Sequence, residues 1–306
     1  MDARRSKLTN LEQVLRGCQI PALPQSALKI LELSKDPSAG PPEYALAIEA
    51  DPGLAAQVLR FVNSSFFGFS REISNLRLAV TLVGVRTIKN FVLWGAVFTL
   101  LPSPRCGPFD LQLLRQDSFR RALFARTVAR HLRFPEAEEV FLAALLQDMA
   151  LPILAKQLTL RYMVLFEQRQ TEGVPLSRLE ESTFGWTHAQ AGGMLARRWN
   201  LPENCAALIE MHNQFDQLST CPEGEPGGYA VALSAVLPSF ADEIWAEREQ
   251  FLEAYALGQE LGLPPAEELL QGVDEQFREL APVLRIAVPP QTLIRCLNVA
   301  GAPRAQ

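Results

Sequence analysis

The chain of 306 residues holds three histidines: His131, His188 and His212. Imidazole exchanges protons near neutral pH and is the commonest nitrogen ligand of metals, so these positions bound much of the available chemistry. His188 follows Thr187, a natural N-cap, and opens a helical segment. His212 closes the next segment, where the helix dipole favours a partly cationic side chain. On the residues alone, helix capping is the preferred reading of both, and His131, near a helix end, is given no role. Two further pairs could do chemistry. Gln147-Asp148 sits inside the apolar stretch FLAALLQDMALPIL (141–154), and Asp117 and Arg121 lie four residues apart in LRQDSFRRAL. That spacing makes an ion pair easy on a helix. No Walker A loop, GxGxxG fingerprint, HExxH or CxxC is present, and no nucleophile–base pair can be assembled from spacing.

The elements that must carry these residues read as helices almost throughout, and the fold class is all-α. PQSALKILELSKD (24–36) repeats apolar residues at helical intervals, and Asp51-Pro52 caps and opens the next helix but one. Helices are expected at 110–132, 136–156, 159–171, 176–182, 188–199, 203–213, 229–254 and 265–286, with a loose tail from Pro289. PSPRCGPFD (102–110) is the clearest breaker. In the 110–132 helix, Leu113, Leu114, Asp117, Arg121, Phe124 and Val128 share the apolar face. A buried charge needs a partner. Arg121 therefore either neutralises Asp117, with or without Asp148, or reaches past the rim to a surface acid. On the same helix Arg115, Arg126, Arg130 and Arg133 fall within about 60°. A solvated face is preferred over an anion- or partner-binding stripe for these four. NSSFFGF (63–69) reads as a tight turn whose rings plug the core, and Gly192-Gly193 as a site of close helix approach.

Several stretches, in order, resemble the HDOD domain: IPALPQSALKILELSKDP, IEADPGLAAQVLRFVNSSFFGF, ISNLRLAVTLVGVRTIKNFVL, FLAALLQDMALPILA and FGWTHAQAGGMLARRWNLPENCAALIEMHN, over roughly residues 18 to 213. The resemblance implies a multi-helix bundle with a degenerate HD-like fold. It would comprise an N-terminal helical subdomain (1–101), the bundle (102–213) and a C-terminal helical extension packed on it (214–306). An HD phosphohydrolase needs imidazoles and carboxylates converging on a metal. Its first histidine would correspond to Asp117, its second to Gln147, and the partner acid to Asp148. The last aspartate would fall near LSAV (233–236), where no carboxylate stands. Amide oxygen is a weak ligand, and His188 and His212 would line the remnant cleft.

The expectation from the resemblance is therefore a bacterial pseudoenzyme: no catalytic residue, no metal, no cofactor. It would be a signal-transduction protein binding a partner or small signalling ligand, in two-component or cyclic-dinucleotide pathways. The alternative is a metal-dependent phosphohydrolase of the HD type with an altered site. A net charge of −5 and a pI near 5.4 argue against a general nucleic-acid binder. The five scattered cysteines read as reduced thiols, and MDARRSKLTNLEQ lacks the apolar core of a signal peptide. The longest strongly apolar run, 91–101, is too short to span a bilayer. A cytoplasmic protein is expected.

Overall fold

Proline, glycine and short polar caps cut this chain into many helices of modest length. The computed structural model describes residues 10–220, 222–242 and 244–299, so Cys221 and both chain ends lie outside the described residues. Among the described residues there are eighteen α-helices and no strand. The first layer comprises α1 (Leu11–Gly17), α2 (Gln25–Leu33), α3 (Pro41–Glu49), α4 (Pro52–Val62), α5 (Leu76–Val83) and α6 (Val85–Leu100). Next come α7 (Leu111–His131), α8 (Ala137–Leu146), α9 (Leu151–Gln157), α10 (Thr159–Glu172), α11 (Leu176–Phe184), α12 (His188–Arg198) and α13 (Glu203–Met211). The chain finishes with α14 (Phe215–Leu218), α15 (Pro226–Ala235), α16 (Arg248–Glu260), α17 (Ala266–Leu280) and α18 (Leu293–Asn298). None of these is long and apolar enough to cross a membrane.

The long helix α7 is the axis of the molecule. Asp110 caps its start by accepting the Gln112 N–H. Packing against α8, α15 and α17 buries it on nearly every side, so Gln116, Asp117, Arg120 and Arg126 are buried beside its apolar residues. The first layer is tied to this bundle through α6. Buried Lys89 pairs with Glu139 at 3.2 Å, and buried Asn90 donates its Nδ2–H to the Glu138 carbonyl at 2.7 Å.

Two helices that periodicity reads as continuous are broken, and proline is the cause each time. The stretch 136–156 splits after Leu146, and α9 starts at Leu151 with Pro152 at its second position. Proline has no N–H to give the carbonyl four residues back, here that of Asp148, and the Leu151 N–H reaches that carbonyl instead at 3.0 Å. Gln147 and Asp148 thus sit on a bend. The stretch 229–254 splits in the same way: α15 ends at Ala235, Pro238 follows, and the chain runs as loop to α16. The tail from Pro289 is more ordered than its composition suggests. Thr292 caps α18, which buries Leu293, Cys296 and Leu297.

Candidate metal centre

Helix α12 packs so closely on α13 that neither Gly192 nor Gly193 has room for a methyl group. A Cβ on Gly192 would meet Ile209 Cγ2 at 2.8 Å, and one on Gly193 would meet Glu210 Cβ at 2.7 Å. This contact carries His188, the first residue of α12, to His212, the residue that ends α13. Their Nε2 atoms are 3.1 Å apart. Asp148, on the bend before α9, brings its Oδ1 to 3.3 Å from His188 Nε2 and 3.6 Å from His212 Nε2. All three side chains are buried.

The outer nitrogens fix which lone pairs point inward. His188 Nδ1 lies 2.6 Å from Glu180 Oε2, and His212 Nδ1 lies 2.7 Å from the Ile209 carbonyl oxygen. Carboxylate and carbonyl oxygens only accept, so both Nδ1 atoms carry hydrogen. In the neutral rings both Nε2 atoms then present lone pairs to each other and to a carboxylate oxygen. Such an arrangement requires a cation at its centre, a proton or a metal ion. The charges around the groups answer this demand. Burial alone would depress His188, but Glu180 and Asp148 outweigh it and raise its pKa from 6.5 to about 10. Burial would raise Asp148, but Arg121 and the two imidazoles hold it well below the usual carboxylate range.

The donor set fits a divalent first-row ion. Two imidazoles and one carboxylate are a common catalytic set, leaving a further position open. The 3.1, 3.3 and 3.6 Å separations match the edge of a tetrahedron, about 3.3–3.4 Å for bonds of ~2.0–2.1 Å. A supporting carboxylate is also in place. Glu180 is wholly buried and accepts from the Tyr162 hydroxyl at 2.7 Å and the His188 backbone N–H at 2.9 Å, besides the imidazole. Carboxylate behind histidine is the usual means of fixing a metal-binding ring.

This cluster corrects the expectation that the metal-binding histidines, and enzymatic activity with them, are lost: Asp148, His188 and His212 together could hold a metal ion. That expectation weighed the replaced positions, Asp117 and Gln147, and preferred capping for the two histidines. His212 does end its helix, but its free nitrogen, like that of His188, faces Asp148. Gln147 is buried beside the bend; its Oε1 lies 3.4 Å from Ser234 Oγ, and its Nε2 has no hydrogen-bond partner among the described residues. Ser234 thus stands where the last aspartate of an HD site was sought.

Arg121 resolves toward Asp148: its Nη1 donates to Oδ2, the oxygen turned away from the histidines. Asp117 is held otherwise, by the Ser239 hydroxyl, by the Phe240 N–H at 2.9 Å and by Arg120 at 3.7 Å. Arg120 has no place in the sequence reading. It is buried, lies 3.6 Å from the Phe240 ring centroid and donates to the Pro238 carbonyl. Its position three residues after a buried aspartate is the signal that could have found it, and Pro238 marks the loop.

The four arginines of the stripe do not share one environment. Arg126 is buried with its guanidinium 4.8 Å from the Phe141 ring, Arg115 lies over Trp94, and Arg130 is exposed and pairs with Glu138 at 2.7 Å. Arg133 falls past the helix end with a left-handed φ of 57°. A solvated face therefore describes Arg130 and Arg133 but not Arg126.

The cluster lies at one wall of a cleft of about 550 Å³. Phe109, Phe166, Trp186 and Phe215 contribute aromatic surface, and Asn213, next to His212, lines it with an Nδ2 that has no partner among the described residues.

Residues 20–215 match the model of the HDOD domain. An HDOD domain protein of unknown function from Geobacter sulfurreducens shares the fold at a TM-score of 0.62, with 22% identity over 95% of this chain and 91% of that one. A Shewanella amazonensis protein provisionally named a phosphohydrolase superposes at a TM-score of 0.67, with 20% identity over 90% of this chain and 97% of that one. Among curated proteins, an uncharacterised protein of Treponema pallidum is 25% identical over 197 residues, which is 64% of this chain and 38% of the relative's length.

Proposed function

The chain belongs to the HDOD domain family, and from that premise we propose that it is a metal-dependent phosphohydrolase of the HD type with an altered ligand set. The observation that carries the reading is the meeting of His188 Nε2, His212 Nε2 and Asp148 Oδ1 at the wall of a cleft. The provisional name of the Shewanella neighbour agrees with it.

His188, His212 and Asp148 would hold the ion, with Glu180 and the Ile209 carbonyl fixing the two rings. A divalent ion so held acts as a Lewis acid on a phosphoryl oxygen and lowers the pKa of water. The protein's own contribution is orientation and charge. The cleft is lined by Asp110, Asp117, Asp148, Glu181, Asp216 and Glu247 against Arg121, Arg169 and Arg178. Arg169 is committed to Asp242 at 2.8 Å and Arg121 to Asp148, so the side chains alone do not welcome an anion. Added positive charge at the histidines would change that balance. The aromatic wall would take an apolar or planar leaving group.

The test is hydrolysis of bis(p-nitrophenyl) phosphate by the purified chain with Mn²⁺, Fe²⁺ or Zn²⁺. Metal-dependent turnover that is lost in both Asp148→Asn and His212→Ala, with melting temperature retained, supports the reading. Metal-loaded protein without turnover on this ester and on nucleotide esters contradicts it.

A further inference from the structure

NSSFFGF does not simply plug the core. Gly68 turns the chain with a left-handed φ of 62°, and Phe66 and Phe67 remain half-buried. Phe67 packs edge-on to Phe61 at 5.1 Å, and Phe61 stacks on Phe91 at 4.3 Å. With Trp94 and Phe119 these rings wall a cavity of about 220 Å³ where α4 and α6 meet α7 and α8. It shares no lining residue with the metal cleft. Its volume lies between the ~150 Å³ that accommodates benzene and the ~300 Å³ at which drug-sized sites begin.

An apolar cavity of this kind would normally be lined without charge, yet Arg126 and Arg130 are on its wall. Among the described residues one carboxylate serves both: Glu138, 2.7 Å from Arg130 and 4.0 Å from Arg126. Two cations to one anion leave a formal positive charge uncompensated. Arg126 is only 6% exposed, and its best neutral acceptor, Gln276 Oε1, is 3.4 Å away. Burial lowers its pKa to about 10, so it remains a cation at neutral pH. The Trp94 ring lines the same cavity. A buried cation whose carboxylate partner is 4.0 Å away, shared with a second arginine, is only loosely compensated beside apolar space. A ligand with an anionic end and a hydrocarbon body would fit such a site.

We propose that this cavity is a second ligand site, distinct from the metal centre, for a small amphipathic carboxylate of the medium-chain fatty-acid class. The chain would lie among Phe61, Phe67, Phe91 and Phe119, and the carboxylate would meet Arg126 and Arg130. The proposal does not depend on the hydrolase reading.

Calorimetric titration of the full chain with sodium octanoate, alongside 1-octanol, tests it. One saturable site is expected, with octanol weaker by roughly tenfold or more, the size of one charge-assisted hydrogen bond. Thr87→Trp, a half-buried lining position, should abolish binding, and Arg130→Gln should weaken it severalfold; unchanged melting and metal stoichiometry in both would show that the fold is intact. Absence of saturable binding in the wild type, octanol binding as tightly as octanoate, or octanoate binding that survives Thr87→Trp unchanged would overturn the proposal.

Discussion

His188 and His212 face each other Nε2 to Nε2 at 3.1 Å, each with its Nδ1 already bound to an acceptor. Two neutral imidazoles so arranged repel. The pair is stable only with a cation between its lone pairs and the Asp148 carboxylate, and this need underlies the predictions about the site.

Glu180 holds the first ring, so its loss should loosen the metal without removing a ligand. Glu180→Gln is expected to weaken divalent-metal affinity by ~10–100-fold. A competition assay against a chelator dye measures this. Tyr162→Phe removes one hydrogen bond to the same buried carboxylate and should cost ~1.5–3 kcal/mol of stability. Unchanged metal affinity in Glu180→Gln would remove Glu180 from the account.

Arg121 pairs with the outer oxygen of Asp148, and both groups are largely buried. Breaking such a pair from one side costs ~3–5 kcal/mol. Metal-free Arg121→Met should show that loss in urea unfolding at pH 7. Saturating divalent metal should restore part of it, because the ion supplies the lost positive charge. Equal stability of Arg121→Met and wild type would mean that the pair contributes nothing.

Gln147 occupies a position where a ligand was sought, but its amide is buried with an unpaired Nε2. Replacing an unsatisfied polar group with an apolar one of similar shape is neutral or favourable. Gln147→Met should therefore retain metal affinity and match or exceed the wild-type melting temperature. A large loss of metal affinity would make Gln147 a ligand after all.

Close packing of α12 on α13 sets the distance between the histidines. In Gly192→Ala the new methyl would meet Ile209 Cγ2 at 2.8 Å, an overpacking that costs ~1–3 kcal/mol. The helices must part to accept it, so metal affinity should fall together with melting temperature. A stable variant with intact metal binding would show that this approach is not what sets the site.

Much of this was legible in the sequence. Helical periodicity and caps such as Asp51 and Thr187 mark helix starts, and the ordered motifs mark the family. Gly192-Gly193 reads as a close approach, which it is. The resemblance brings His188 and His212 to one cleft, but spacing alone does not, because twenty-four residues and a turn separate them and each also makes sense as a capping residue. Apolar periodicity runs through the breaks at Pro152 and Pro238 and hides them. Those breaks place Asp148 at the histidines and Ser239 at Asp117. Arg121 choosing Asp148 over Asp117 is a tertiary outcome that spacing along one helix cannot decide.

The most direct test of the central claim is metal stoichiometry. Purified chain, stripped with chelator and dialysed against Mn²⁺, Fe²⁺ or Zn²⁺, should retain close to one ion per chain by elemental analysis. His188→Ala, His212→Ala and Asp148→Ala should each lose it while remaining folded by circular dichroism. Wild-type protein that retains no ion from any of the three solutions, or a His188→Ala/His212→Ala double variant that still holds one, would contradict the account.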